Sequence, residues 1–267
     1  MRITNAHLIA YSPTGTTLKN ISHLAFGMGF SGPKVTNLTL PKEREESLVP
    51  RESVAIFGAP VYAGRVAPHA VDRLKRVKGE GGPAVVVAVY GNRAYENALI
   101  ELKHLVEEQG FHVVAAAALL AEHSFSSDKK PLAKGRPDSQ DLAVAENFGR
   151  EVRDRLERVE GLSAMSQLQV PGELPSEPFA GLSGMSPETD ASLCKGCGLC
   201  VDACPAGALS LSKKKPVTDT TCCTYCLACL RTCPSGAISV TTPFILEIVE
   251  KLYANCQARC EPEFFLS

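Results

Sequence analysis

The chain has 267 residues, 28 Lys and Arg against 29 Asp and Glu, 45% hydrophobic residues and no Trp. These figures suit a globular chain of one or two domains. The near-neutral balance gives no support to nucleic-acid binding, and the longest apolar run, Val113 to Ala121, is too short to span a membrane. The first residues, MRITNAHLIAYS, hold no apolar core ending in a cleavage site, so no signal peptide is expected. Eleven cysteines without such a signal point to a reducing, cytoplasmic setting instead of disulfides.

Residues 3–11 read as a first strand, and a turn follows at Ser12 to Thr17. After it Leu18, Ile21, Leu24, Ala25 and Met28 share a helical face. A hydroxyl- and glycine-bearing loop between a strand and a helix is a phosphate cradle, because its N–H groups and the helix dipole favour an anion. Ser12, Thr14, Thr16 and Thr17 supply neutral donors around Gly15, and no lysine follows Gly15, so this is not a Walker A loop. An ordinary capped helix start is the other reading of the same residues.

Further strands are expected at 34–40, 53–60, 83–91 and 111–120, alternating with helices over AVDRLKRVK, NRAYENALIELKHLVEEQG and residues 138–160. That alternation predicts an α/β fold, a doubly wound five-stranded parallel sheet. Ligands of such sheets sit beyond the carboxyl ends of the strands, where loops 12–17, 59–66 and 90–95 all fall. Residues 121–141 are long for one loop, and loops of that length are usually functional or mobile. There His123, Ser124 and Ser126 are candidate polar contacts or proton donors, against the plainer reading of satisfied polar groups. Residues 161–186 are rich in Gly, Pro and Ser and read as a linker. Their apolar Leu168, Val170, Leu174, Phe179 and Leu182 predict that the linker packs across the domains.

Cys194 to Pro234 holds two runs, CKGCGLCVDACP and CTYCLACLRTCP, each C-x2-C-x2-C-x3-C-P. A cubane cluster needs four converging thiolates, and in this spacing the fourth cysteine of each run ligates the other cluster. One [4Fe–4S] cluster is therefore assigned to Cys194, Cys197, Cys200 and Cys233, and a second to Cys204, Cys223, Cys226 and Cys229. Gly196 and Gly198 let backbone N–H groups approach the cluster sulfurs. Two structural zinc sites are the competing reading, though zinc ligands come as separated pairs more than as such triplets. Cys222 breaks the register and is read as a buried or bystander thiol ahead of an alternative ligand. The module spans 187–242, with Lys213 to Lys215 as a basic tip: a solvated loop, or a recognition element for an acidic partner. Residues 243–267 are expected to form a C-terminal helix, with Ile245, Ile248, Val249 and Leu252 on one face and Cys256 and Cys260 as free thiols.

SPTGTT resembles the FMN phosphate loop of flavodoxins, and GAPVYAGR and VYGNRAYENAL resemble the two loops that hold the isoalloxazine ring in flavodoxin-like proteins. Over almost its full length the chain resembles the flavodoxin–ferredoxin fusions called ferrodoxins. The resemblance implies a flavodoxin-like domain at 1–160, a small α+β ferredoxin-like domain, and FMN together with two [4Fe–4S] clusters. It implies that Ser12, Thr14, Gly15, Thr16 and Thr17 hold the FMN phosphate. Pro60, Val61, Tyr62, Ala63 and Gly64 would lie along one side of the ring, and Tyr90, Gly91, Asn92, Arg93 and Tyr95 along the other. No residue is assigned a catalytic role. The function implied is electron transfer between FMN, the clusters and a redox partner protein, with no membrane span and homodimerisation left open. Two alternatives stand beside it: a flavin-dependent reductase of a small molecule or metal cofactor, and a docking or scaffold protein with an empty flavodoxin domain.

Overall fold

The computed structural model describes residues 3–41, 46–177, 179, 181–182 and 184–267. Five strands, β1 (Asn5–Ala10), β2 (Lys34–Asn37), β3 (Ser53–Tyr62), β4 (Pro83–Tyr90) and β5 (His112–Leu120), run parallel in the spatial order 2-1-3-4-5. This is the flavodoxin-like order of the doubly wound fold. Strand β4 sits in the middle, and all eight of its residues are buried. A strand covered on both faces has no solvent side, which explains why PAVVVAVY reads as an unbroken apolar run. Its proline is the first residue, where no ladder donor is lost.

Helices α1 (Thr16–Gly27) and α4 (Ser139–Arg158) cover one face, through a core that includes Ile21, Leu24, Phe148 and Val152. Helices α2 (Pro68–Leu74) and α3 (Ala98–Glu108) cover the other, through a core that includes Leu74, Leu99, Leu102 and Phe111. Helix α4 starts where its sequence says it should. Asp138 caps it by accepting the Asp141 N–H, and the Asp141 carboxylate returns the bond to the Asp138 N–H, each at 3.0 Å.

The C-terminal expectation needs correction. Helix α5 spans Pro243–Asn255 only, and the chain then turns back to form a further strand, β6 (Glu263–Leu266). Strand β6 pairs antiparallel with β5, so the sheet gains an antiparallel edge strand beyond the five expected. Its neighbouring aromatics point to opposite faces as a strand requires. The Phe264 ring stacks at 4.5 Å from Phe148, whereas Phe265 packs against the α2–α3 core. Buried Arg136 secures this return: it pairs with Asp141 and donates to the Cys260 carbonyl at 2.8 Å.

The cysteine-bearing residues form a hairpin, Leu209–Ser212 against Lys215–Thr218, and a two-residue pairing of Glu188–Thr189 with Ile238–Ser239. They sit against the carboxyl edge of the sheet. Arg73 of α2 donates from Nη2 to the Pro205 carbonyl at 2.5 Å. Arg231 donates from Nη2 to Glu122 Oε1 and to the Ser126 carbonyl, each at 3.2 Å. Between these clamps a small apolar cluster joins Tyr225 and Leu227 to Ile245 and Val249 of α5, with Phe125 and Leu182 against it.

Candidate functional site

A cavity of about 460 Å³ opens at the carboxyl edge of the sheet. That is the size of a small-molecule or cofactor site. Helix α1 points its N-terminus at it. The helix enters through Gly15 in the left-handed conformation, has no side-chain cap on that residue, and carries no acid in its first turn. Thr14, Thr16 and Thr17 line the cavity, and the Thr14 and Thr16 hydroxyls are 3.3 Å apart. Ser12 does not line it. Its Oγ accepts the Leu18 N–H at 3.0 Å while its own N–H goes to Thr39 Oγ1 at 2.8 Å, so Ser12 shapes the turn from inside. Lys19 is also directed elsewhere, donating to the Pro137 carbonyl at 3.0 Å. An anion here would meet hydroxyls, backbone N–H groups and a helix dipole instead of a lysine.

Pro60, Val61, Tyr62 and Ala63 form one wall and Tyr90, Gly91 and Arg93 another. Burial pushes the Tyr90 phenol up to about 12, with Cys260 and Glu263 adding to the rise. Arg93 pairs with Glu96 at 2.7 Å, and both reach the cavity. Three residues of the same loops are placed otherwise. Gly64 packs against Glu96, and its carbonyl accepts the Asn97 N–H at 3.0 Å, which ties the two loops together. The Asn92 amide is drawn to the C-terminal segment, donating to the Cys256 and Ala258 carbonyls at 2.9 and 2.7 Å. Tyr95 is buried against Tyr90, and its hydroxyl donates to Glu263 at 2.7 Å. Arg65 is likewise committed, in a two-point ion pair with Glu101 at 2.7 and 3.0 Å.

The long loop after β5 supplies the rest of the polar lining through Glu122, His123 and Ser124. Gly91 permits this approach, since a Cβ there would lie 2.5 Å from His123 Cδ2. His123 Nδ1 accepts the Phe125 N–H at 3.1 Å, which places the proton of the neutral ring on Nε2. Burial, followed by the charges of Arg93 and Arg231, lowers its pKa to about 4. Ser126 turns away, its Oγ accepting the Leu132 N–H at 3.2 Å. Apolar walls come from Phe125, from Phe179 and Leu182, and from Ile248 and Leu252 of α5. Tyr225 and Cys226 complete the cavity, and nothing in the spacing of the second cysteine run signals that role.

The cysteines collect into two sets. Cys194, Cys197, Cys200 and Cys233 line one small cavity, and Cys204, Cys223, Cys226 and Cys229 line another. Cys222 lines neither; its thiol faces Asp219 at 3.5 Å. Burial pushes the Cys226 and Cys229 thiols up to about 12. Among the described residues no three Cys, His, Asp or Glu side chains converge closely enough to share one metal ion. Four thiols around each of these small cavities are a donor set of the kind a metal centre needs.

Residues 187–210 match the family described as a 4Fe-4S binding domain, which includes the first cysteine run. A comparison with curated proteins finds no match. Among solved structures the chain is similar to a flavodoxin from the domain Archaea, at 14% identity over 58% of this chain and 100% of that one, with a TM-score of 0.38. It is similar to oxidised flavodoxin 1 from Bacillus cereus, at 17% identity over 59% and 100%, with a TM-score of 0.41. It is also similar to the rubredoxin oxygen:oxidoreductase of the anaerobe Desulfovibrio gigas, at 12% identity over 58% of this chain and 37% of that one, with a TM-score of 0.39. The fold assignment rests on the strand order itself. No helix among the described residues is long and apolar enough to cross a membrane.

Proposed function

We propose that the chain is an electron-transfer protein in which FMN at the sheet edge and two [4Fe–4S] clusters form one internal path. The observation that carries this reading is a shared wall: Thr224, Tyr225 and Cys226 line both the large cavity and the cavity of the second cysteine set. Electron tunnelling weakens steeply with distance, so two centres separated by one layer of side chains are well placed to exchange electrons. Bound FMN would supply a centre able to pair one-electron with two-electron chemistry.

The residues present fit that group. Thr14, Thr16 and Thr17 at the start of α1 would take its phosphate, and Pro60 to Ala63 with Tyr90, Gly91 and Arg93 would flank its ring. His123 would offer a neutral Nε2–H donor. Phe179, Leu182, Ile248 and Leu252 wall the cavity with apolar side chains. The two clamps, Arg73 to Pro205 and Arg231 to Glu122, hold the second cysteine set at a fixed distance from the cavity. The first set lies beyond it and more exposed, with Cys197 open to solvent. The path supported is therefore cavity, buried cysteine set, exposed cysteine set, surface. On this reading residues 1–160 bind the flavin and 187–242 the clusters.

Anaerobic redox titration followed by EPR and visible absorbance tests the proposal. The expected result is one bound flavin and two cubane signals that interact magnetically. Absence of a flavin band after anaerobic addition of FMN would remove the flavin half of the path, and a single cubane would remove the relay.

A further inference from the structure

The exposed cysteine set is surrounded by an unusual surface. Leu193, Leu199 and Leu211 are 46%, 44% and 44% exposed. Scattered exposed leucines need no explanation, but Leu199 and Leu211 line the same small cavity as Cys197, and Leu193 precedes Cys194. Val217 pairs with Ser210, so it stands on the other face of the hairpin from Leu211. Contiguous exposed apolar side chains with a polar rim mark an interaction site.

Lysines cluster at this face. From Leu193 to Val217 the chain carries Lys195, Lys213, Lys214 and Lys215 against Asp202, with exposed Asp190 and Asp219 just outside that segment. All four lysines are exposed. The hairpin tip lies against the cysteine loop, since a Cβ on Gly196 would come within 2.5 Å of the Lys214 carbonyl oxygen. Lys213 and Lys214 both hold positive φ, at 49° and 62°. The hairpin tip that carries three lysines thus lies against Gly196, the residue before exposed Cys197, on a chain whose overall charge is only −1.

We infer that this face docks an acidic one-electron carrier protein, and that electrons cross between the carrier and the chain through the Cys194, Cys197, Cys200 and Cys233 set. The inference rests on the proposed cluster path. An apolar centre with lysines beside it complements a partner whose own apolar patch is rimmed by carboxylates, and such pairing raises the encounter rate more than the affinity. In the step itself the reduced carrier loses one electron and the cluster gains it; no bond breaks and no proton moves. An anionic membrane would match the lysines, but it offers no redox centre to the cysteine set beside them.

The test uses the holoprotein with both clusters loaded, in anaerobic stopped flow. A reduced acidic two-[4Fe–4S] ferredoxin is the protein donor, and reduced methyl viologen, a small cation, is the control. With the ferredoxin, the second-order rate should fall steeply from low to high salt. The K213E/K214E/K215E variant should lose about tenfold or more of the low-salt rate and most of the salt dependence. Its iron content, its EPR signals and its rate with methyl viologen should be undiminished. An unchanged ferredoxin rate in a variant with intact clusters overturns the proposal. So does a wild-type rate that rises with salt, and that measurement decides the matter even if the variant fails to load its clusters. Wild-type binding to phosphatidylserine vesicles without salt-dependent ferredoxin reduction would assign the face to a membrane instead. Electron arrival at the flavin after methyl viologen reduction is read separately, so failure of docking and failure of the internal path give different signals.

Discussion

The two cysteine loops share a backbone and differ in almost everything else. In CKGCGLC, Gly196 and Gly198 adopt positive φ, at 66° and 82°; in CTYCLAC the matching positions are Tyr225 and Leu227, at 56° and 61°. A glycine takes that conformation freely, whereas a residue with a Cβ gives up roughly 1–2 kcal/mol. The offset is visible in the packing. Tyr225 and Leu227 are each 2% exposed and join Ile245 and Val249 of α5 in one cluster, a burial that contributes about 1.5–3 kcal/mol per large side chain. The first loop keeps glycine and stays at the surface. The second accepts strained backbone because its side chains form the joint between cysteine set, helix and cavity. One chain geometry thus serves as an outward port and as an inward wall.

The largest effect that can separate the loops is loss of a ligand. Cys226→Ala should remove up to about half of the iron. It should also weaken FMN binding, measured by recovery of free-flavin fluorescence, because Cys226 lines both cavities. Cys197→Ala should cost a similar share of iron and leave FMN binding unchanged, since Cys197 is exposed and lines neither the large cavity nor the shared wall. Equal loss of flavin in both variants would erase the distinction between port and wall.

A smaller effect follows from backbone shape. Gly196→Ala places a Cβ at φ 66° and 2.5 Å from the Lys214 carbonyl oxygen. The conformation alone costs roughly 1–2 kcal/mol, and the hairpin tip must also move. Iron loss to a chelator should quicken for the outer cluster and not for the inner. At Leu227 the usual order of substitutions should invert. Leu227→Ala forfeits about 2–5 kcal/mol of buried contact while keeping the left-handed strain. Leu227→Gly forfeits slightly more contact but recovers about 1–2 kcal/mol. The temperature at which cluster absorbance bleaches should therefore be higher for Leu227→Gly than for Leu227→Ala. The opposite order would mean that the backbone at Leu227 is not held by its neighbours.

The grouping of the cysteines around two small cavities could be anticipated because three of each four lie in one local C-x2-C-x2-C loop, and a fourth from the other run is what that spacing generally uses. The parallel sheet was legible because buried strands such as 83–90 leave long apolar runs between helices. What could not be read came from tertiary contact. Strand β6 is only four residues long and directly follows Pro262, too short to show a period, and it forms by pairing with the edge of β5. Asn92 and Tyr95 carry the right residue types for a ring loop, yet the C-terminal segment draws both away through the Cys256 and Ala258 carbonyls and Glu263. Ser12 belongs to the phosphate loop by pattern but spends its hydroxyl on Leu18. Positive φ at Tyr225 and Leu227 leaves no mark in their identity, because propensity alone assigns that conformation to glycine.

The smallest predicted effect probes the wall from its other side, where the His123 ring lies 5.1 Å from that of Phe125, which in turn contacts Tyr225 at 6.0 Å. Its neutral form is fixed by the Phe125 N–H on Nδ1 and by burial, with a folded-state pKa of about 4 against an ordinary 6.5. A histidine whose folded pKa is lowered binds its proton more readily in the unfolded chain. Its contribution to stability is therefore fully present above pH 6.5 and declines as pH falls from 6.5 toward about 4. Within that window the unfolding constant of the wild type should rise by up to about tenfold per pH unit from this one group. His123→Gln keeps a polar side chain and removes the titration, so it should lose less stability between pH 7 and pH 5 than the wild type does, whatever its stability at pH 7. Acid lability of the clusters is common to both proteins and cancels in the difference. Parallel pH profiles, measured as denaturant midpoints under anaerobic conditions, would mean that His123 is protonated in the folded protein and that the cavity wall is wetter than its apolar neighbours require.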